Sequence, residues 1–413
     1  MLKGIKIRLY PNTLQEEILD KHLGNCRYLF NSCLNLKKKT YEESKITLEF
    51  KQINQYIIKL RNEYDWLDNV NSKIYQGIVW DLETAYKNYF KGLKDGSIQK
   101  KKDAYIKNKK QKGLEVNLKH LNEIGFPKFK KKHDVQSMAL PVDGISKNYL
   151  RDGKLFLNKQ INNLSFSTSK KYEEILENYK PKDATISKTK TGKYFVSFLF
   201  DLPFIERNRI GNSEIGIDLG VKTFIVTSDQ EIIEQPKWIR KNEKKLKSLH
   251  KKLSKKQKGS KNKEKSRKRL AKFHEKLTNQ RNYFFHKIIN KLCSENQTIY
   301  LEDLNVAGML KNHKLAKAIS EKNFGYFKQL LKEKSKYYNT KIVEINRFYP
   351  SSKVCSNCGN KKEDLTLKDR EYHCNNCGLE IDRDYNASLN ILKEGRNIYK
   401  STVETMESLL EVA

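Results

Sequence analysis

The chain has 413 residues, with 83 lysines and arginines against 49 aspartates and glutamates, a formal balance of +34 and a hydrophobic fraction of 37%. That length allows two to four domains with a sizeable core and excludes a miniprotein held together by disulfides or a metal alone. The cationic excess calls for a polyanionic partner. No apolar run approaches the roughly 18 residues of a membrane-spanning helix and the start lacks an uninterrupted apolar signal core, so the sequence reads as soluble and intracellular.

Lys3 to Tyr10 alternates polar and apolar residues at period two, as a half-buried strand does, and Pro11 ends it. Thr13 and Glu16 have capping-box spacing. Apolar residues then recur at helical intervals (Leu29, Phe30, Cys33, Leu34; Ile57, Ile58; Leu82, Tyr86, Phe90), which predicts a helical domain over 13–92. From Asp95 to His133 the composition is polar and lysine-rich, punctuated by Gly96, Gly113 and Gly125, and predicts loops facing a charged partner. Short strands follow between Val142 and Leu202: Lys154–Leu157, Leu164–Ser167, Ala184–Ser187 and Tyr194–Phe200, with a hairpin signal at Thr191-Gly192. The opening strand is expected to pair into this β domain.

Residues 215–227 predict two buried strands joined at Gly220. Pro236 to Leu292 carries a helical pattern, with Ile239, Leu246, Leu249 and Leu253 on one arm and Leu270, Phe273, Leu277, Phe284 and Ile288 on the other. The break at 258–262 makes it a hairpin. A strand at Thr298–Leu301, a helix at Phe324–Tyr338, a strand at Lys341–Ile345 and the start of a last helix at Tyr385–Leu392 complete an alternating pattern that argues for an α/β layer.

Three acids stand where a charge is costly unless used. Asp218 interrupts an apolar run, Glu302 directly follows Thr298–Leu301, and Asp384 lies at the expected start of the last helix. Each alone reads better as a turn cap. Three in one α/β domain of a +34 protein favour a site for divalent cations, because clustered carboxylates repel unless a metal neutralises them. Hard oxygen donors suit Mg²⁺ or Mn²⁺, and two such ions about 4 Å apart can activate a water and stabilise the leaving 3′ oxygen of a phosphodiester. Asp303 adjoins Glu302 and Asp382 lies two before Asp384; on a strand only one of Glu302 and Asp303 can point into the site.

Seven cysteines is an odd number, and four form Cys355-x2-Cys358 and Cys374-x2-Cys377, each knuckle followed by glycine. Four thiolates around tetrahedral Zn²⁺ make a closed, structural site; a redox dithiol would not need two matched pairs. His373 is not needed in a complete shell. Cys26, Cys33 and Cys293 read as buried thiols without chemistry. Residues 237–276 hold 19 lysines and arginines against three glutamates, a cationic face suited to phosphate. Tyr28, Tyr86, Tyr89 and Phe129 lie near basic residues and could stack on bases, though core packing is the commoner fate of such aromatics.

Taken in order, Gly216-Ile-Asp-Leu-Gly220, Leu301-Glu-Asp-Leu-Asn305, the insert opening Tyr349-Pro-Ser-Ser-Lys-Val-Cys355 and Asp382-Arg-Asp-Tyr-Asn-Ala387 resemble the motifs of the TnpB (OrfB) family of insertion sequences, as do Ile7-Arg-Leu-Tyr-Pro11 and Asn25-Cys-Arg-Tyr28. The resemblance implies an RNA-guided, transposon-encoded DNA endonuclease, similar to compact type V CRISPR effectors. Its fold class would be α+β and multidomain: a RuvC-like RNase H fold with an inserted zinc ribbon, plus an N-terminal β-barrel (wedge) domain interrupted by a helical recognition domain. The expected boundaries are 1–12 and 115–205 for the wedge, 13–114 for the recognition domain, 213–349 and 379–400 for the nuclease with its basic hairpin at 236–292, 350–378 for the ribbon and 401–413 for a tail.

The resemblance places the catalytic, Mg²⁺- or Mn²⁺-binding acids at Asp218, Glu302 and Asp384, leaves Asp303 and Asp382 outside the triad, and puts structural Zn²⁺ on Cys355, Cys358, Cys374 and Cys377. Its implied partners are a guide RNA from the element and double-stranded target DNA cut beside a short flanking motif. No membrane is implied, and the location would be cytoplasmic and nucleoid-associated. The alternatives are a CRISPR-associated effector and a nuclease-inactive repressor; the latter requires a missing carboxylate, and none is missing. A transposase proper would call for a nucleophilic tyrosine or serine constellation, and no tyrosine sits in a His-hydrophobic-His context.

Overall fold

Period-two alternation at the start of the chain becomes strand β1 (Leu2–Tyr10), with Ile5, Ile7 and Leu9 buried on one side. The computed structural model describes residues 2–68, 71–141, 145–146, 148–203, 209–366 and 369–411. The chain divides into two units, Met1–Pro203 and Phe204–Ala413. The expected wedge boundary at 205, and the last two residues of the expected tail, lie outside the described residues.

In the first unit β1 leads into α1 (Thr13–Ser44), α2 (Phe50–Glu63), α3 (Asp65–Asp68), α4 (Ser72–Lys94), α5 (Ser97–Gln111) and α6 (Leu118–Asn122). There follow β2 (Gln136–Pro141), β3 (Leu150–Arg151), β4 (Lys154–Leu155), β5 (Ser165–Ser167), α7 (Lys170–Asn178), β6 (Asp183–Lys188) and β7 (Tyr194–Asp201). Five strands make an antiparallel sheet in the order β2-β6-β7-β1-β5. The opening strand pairs with β7 along its length, Ile5 opposite Phe198 and Ile7 opposite Val196. Leu29 and Cys33 of α1 and Val79 and Leu82 of α4 share a core with these strands. No pairing joins β2 to β5 among the described residues, so the recorded pairing is that of an open sheet.

Two expectations change here. The lysine-rich stretch after Asp95 contains two helices, α5 and the short α6; α5 forms because lysine and glutamine are good helix formers even without an apolar stripe. Asp95 accepts the Ser97 N–H at 2.9 Å, Gln99 donates to Asp103 one turn on, and Ile98 is the one buried residue of the helix. The cap of α1 lies one residue earlier than expected: Asn12 accepts the Gln15 N–H and Gln15 returns the bond.

The second unit runs β8 (Ser213–Leu219), β9 (Ile225–Thr227), β10 (Ile232–Ile233), α8 (Trp238–Lys241), α9 (Glu243–Ser254), α10 (Lys261–Glu295), β11 (Asn296–Glu302), α11 (Val306–Met309), α12 (Ala316–Lys322), α13 (Phe324–Ser335), β12 (Lys341–Ile345), β13 (Glu371–His373), β14 (Glu380–Asp382) and α14 (Arg383–Glu411). An antiparallel meander β10-β9-β8 is extended by β11 and β12, parallel to β8. Both faces are covered, as parallel strands require. Ile217 and Leu301 pack with Phe285 and Phe327 on one side, and Tyr300 and Ile345 with Ile391 of α14 on the other.

The approach of α14 to the sheet depends on two glycines. A Cβ at Gly216 of β8 would fall 2.8 Å from Leu392 Cβ and closer still to the Ser388 carbonyl oxygen; one at Gly395 would fall 2.9 Å from Tyr300 Cβ. Arg396 ties the helix to the Glu214 carboxylate of β8 at 2.6 Å, and the Tyr300 hydroxyl donates to the same residue. None of the described helices is long and apolar enough to cross a membrane. Gly216→Ala should therefore destabilise the protein by about 1–3 kcal/mol or more, whereas Gly325→Ala, with nothing within 4 Å of the added carbon, should change little; thermal melts of both variants check this.

Candidate functional site

Ile217 pairs with Leu301 across the parallel β8–β11 ladder. The next residues, Asp218 and Glu302, therefore stand side by side at the C-terminal ends of neighbouring strands, where open α/β sheets bind ligands. Gly216 and Tyr300 face α14, so Asp218 and Glu302, two residues further along, share that face. Asp384 sits in the first turn of α14, one turn before Ser388. All three acids line one cavity of about 800 Å³.

Their charges act on one another. Burial, then the neighbouring Glu302 and Asp384 charges, push the Asp218 carboxyl well above its ordinary 3.8, and Arg383 pulls the other way. Burial raises Glu302, opposed by a hydrogen bond from the Ser351 hydroxyl. Asp303 points elsewhere: it pairs with Lys328 at 2.9 Å and with Arg347, which together hold it below the usual carboxylate range. Asp382 is exposed and accepts the Tyr385 N–H, bracing the start of α14. Neither lines the cavity.

Other side chains around the cavity were given no individual role by the sequence. Ser351 is buried at the root of the cysteine insert, and Asn390 of α14 holds its carbonyl at 2.8 Å. Lys222, Lys237, Arg240, Lys322, Arg370 and Arg383 also line the cavity. Hard carboxylate oxygens suit a hard divalent cation, which would relieve the repulsion that Glu302 and Asp384 exert on the buried Asp218.

The cysteine insert has different chemistry. The sulfurs of Cys355, Cys358, Cys374 and Cys377 lie within 4.8 Å of one another, the one such cluster of metal-binding donors among the described residues. Cys355 and Cys377 sulfurs are 3.7 Å apart, Cys358 and Cys374 sulfurs 3.5 Å. A tetrahedron of thiolates at the usual Zn–S length of about 2.3 Å has edges of about 3.8 Å, so the cluster fits Zn²⁺. Both knuckles turn alike, Gly359 donating to the Cys355 carbonyl and Gly378 to that of Cys374. Hydrogen bonds from Asn376 and the backbone lower the Cys358 thiol to about 6, while burial pushes Cys355 up to about 12.

In the basic hairpin, Leu270 and Leu277 of α10 are buried, whereas α9 buries no residue fully. Recorded acidic partners serve Arg240, Lys247 and Arg267, and most of the remaining cations are exposed. Of the aromatics, Tyr86 is buried, Tyr28 packs edge-on to Tyr64 and Trp66, Tyr89 packs against Phe126, and Phe129 is exposed. Cys26, Cys33 and Cys293 are buried, which lifts each thiol to about 12.

Two outcomes follow from this chemistry. A carboxyl raised on folding weakens the fold once pH climbs above its unfolded value, and the penalty persists above the folded one. In magnesium-free buffer, Asp218→Asn should melt higher than the native protein at pH 8, with the gap closing as pH falls towards the ordinary 3.8. Metal analysis of protein purified without added metal should find one zinc ion per chain, and Cys355→Ser should lose it.

Family models match in three places: "Probable transposase" of the OrfB_IS605 type over residues 197–313, "Cas12f1-like, TNB domain" over 324–391, and "Helix-turn-helix domain" over 1–45. The chain is 30% identical to a Streptomyces pristinaespiralis protein named "Putative RNA-guided DNA endonuclease", across 95% of this chain and 89% of that one. It is 23% identical to "Putative RNA-guided DNA endonuclease InsQ" of Escherichia coli (strain K12), across 96% and 93%. Its fold is similar to that in "Structure of the mini-RNA-guided endonuclease CRISPR-Cas_phi3", at a TM-score of 0.50 and 11% identity over 96% of this chain and 92% of that chain. With a relative this similar along nearly its whole length, and an OrfB model over the strands that carry two of the three acids, the chain belongs to the TnpB (OrfB) family.

Proposed function

We propose that the protein is an RNA-guided DNA endonuclease encoded by a transposable element, cutting a target duplex beside a short flanking motif. The observation that carries the chemistry is the convergence of Asp218, Glu302 and Asp384, from two strands and a helix, on one cavity of a strongly cationic protein. The names of the relatives from Streptomyces pristinaespiralis and Escherichia coli support the guided mode of action.

On this reading the three carboxylates hold Mg²⁺ or Mn²⁺, which when bound supply charge neutralisation and water activation for phosphodiester hydrolysis. Ser351 fixes the orientation of Glu302 through its hydroxyl. Arg383, acting against the raised Asp218, moderates the repulsion within the triad. The meander extended by two parallel strands and backed by α14 supports a RuvC-like RNase H fold over 213–349 and 379–400, with 350–378 as its zinc ribbon. In the first unit, the sheet would serve as the wedge and the helices of 13–114 as the recognition domain. Exposed cations along 237–276 would neutralise nucleic-acid phosphates. A CRISPR-associated role uses the same machinery and differs in the source of the RNA, which sequencing the copurifying RNA identifies. A nuclease-inactive repressor has no use for three converging acids.

Single-turnover cleavage of a duplex matched to the copurifying RNA tests the assignment. Asp218→Ala, Glu302→Ala and Asp384→Ala should each lower the rate by about 10³-fold or more, on the scale of lost catalytic groups, with RNA and target binding retained. Asp303→Ala and Asp382→Ala should be much milder. Rapid cutting by the Asp384→Ala protein would move the third acid elsewhere.

A further inference from the structure

We propose that Lys322, with Lys237 and Arg240 beside it, forms a wall of the carboxylate cavity that binds a backbone phosphate of the DNA strand being cut. The inference rests on the nuclease reading and adds a substrate-binding element to it.

Lys322 ends α12 and is 6% exposed, yet it lines the cavity. It has no hydrogen-bond or ion-pair partner among the described residues; its recorded contact is the Phe224 ring, 5.5 Å from the ammonium. The covered stem leaves the ammonium at the cavity surface rather than sealed from water, so it can meet an anion with no carboxylate bonded to it. The adjoining carboxylate, Glu321, is already engaged. Its Oε1 accepts the Ile239 N–H at 3.0 Å and the Arg240 N–H at 3.3 Å, and the Arg240 Nε lies 3.7 Å from its Oε2. Gln235 donates to the Glu321 main-chain oxygen at 3.2 Å. These bonds anchor residues 235–240 to α12 and so bring Lys237 and Arg240 to the wall that Lys322 occupies.

The result is three cations gathered around one opening. Burial first, then the Lys237 and Arg240 charges, draw the Lys322 ammonium below its ordinary 10.5, against Glu234 and Glu321. A cluster of that kind stabilises a bound anion more than any single lysine does. The charges acting on Asp218 are a different set, Glu302, Asp384 and Arg383. Lys322, Lys237 and Arg240 thus form a cationic group apart from Arg383, the cation that acts on the triad, with all four lining one cavity. Carboxylates alone would repel a polyanion. A cationic wall draws the strand in and holds one phosphate while another meets the triad. The bound strand is the DNA rather than the guide, because a strand lodged in this cavity is the one exposed to the cutting groups.

The test uses the full-length protein with its copurifying RNA, a matched duplex, and methylphosphonate replacing the phosphates around the cut one at a time. Lys322→Met should cut roughly 10–100-fold more slowly, the range for loss of a charge-assisted contact. Lys322→Arg should retain most of the rate. The melting midpoint of Lys322→Met should hold or rise, since it relieves repulsion from Lys237 and Arg240. At one phosphate the methylphosphonate should slow the native protein by a similar factor and the Lys322→Met protein no further. Cleavage by Lys322→Met at the native rate would overturn the proposal, as would a slow variant that keeps the native methylphosphonate profile, the mark of a lysine that only supports the fold. Asp218→Asn is run alongside: if it also cuts, the nuclease reading falls and the wall with it, whereas its inactivity beside a fully active Lys322→Met removes the wall alone.

Discussion

The parallel pairing of β8 with β11 is the constraint from which the second unit's chemistry descends. Its register fixes Asp218 beside Glu302, and the pleat turns both towards α14. The helix can deliver Asp384 to the same place only by lying very close to the sheet, which Gly216 and Gly395 permit. Three carboxylates so gathered repel, and that repulsion adds to burial in raising Asp218. Sites that work against the stability of their own fold are expected where function demands it.

The cysteine insert is joined to this site by hydrogen bonds rather than by proximity alone. Asn386 and Asn390 of α14 both donate to the Val354 carbonyl, and Asn386 accepts the Ser356 N–H, so the helix that carries Asp384 also grips the first knuckle. Between them, Ser351 reaches Glu302. A closed tetrahedral metal site at the knuckles would stiffen the segment that sets one carboxylate and braces the helix bearing another. Its bearing on activity would be through geometry, since four thiolates leave no position open for water.

Much of this was legible in the residues. A carboxylate inside an apolar run is conspicuous, and period-two alternation already put Asp303 on the opposite side from Glu302, where Lys328 and Arg347 hold it. Paired knuckles declare themselves by spacing. Helix α5 did not, because a solvated helix lacks the apolar stripe that periodicity detects. Strand β2 and helix α7 were also missed, the one short and ending in proline, the other lying inside a stretch read as strands. The roles of Ser351, although it lies in the quoted Tyr349–Cys355 motif, and of Lys322 were hidden for another reason. What a serine before a knuckle or a lysine at a helix end touches is set by tertiary neighbours, which local pattern does not reveal.

If Asp218, Glu302 and Asp384 together hold divalent cations, the RNA-loaded protein should bind Mn²⁺ through them, which electron paramagnetic resonance counts with no chelator present. Asp218→Asn and Asp384→Asn should each bind less manganese while Asp303→Asn binds as much as the native protein; equal binding in all four proteins would rule out the shared site.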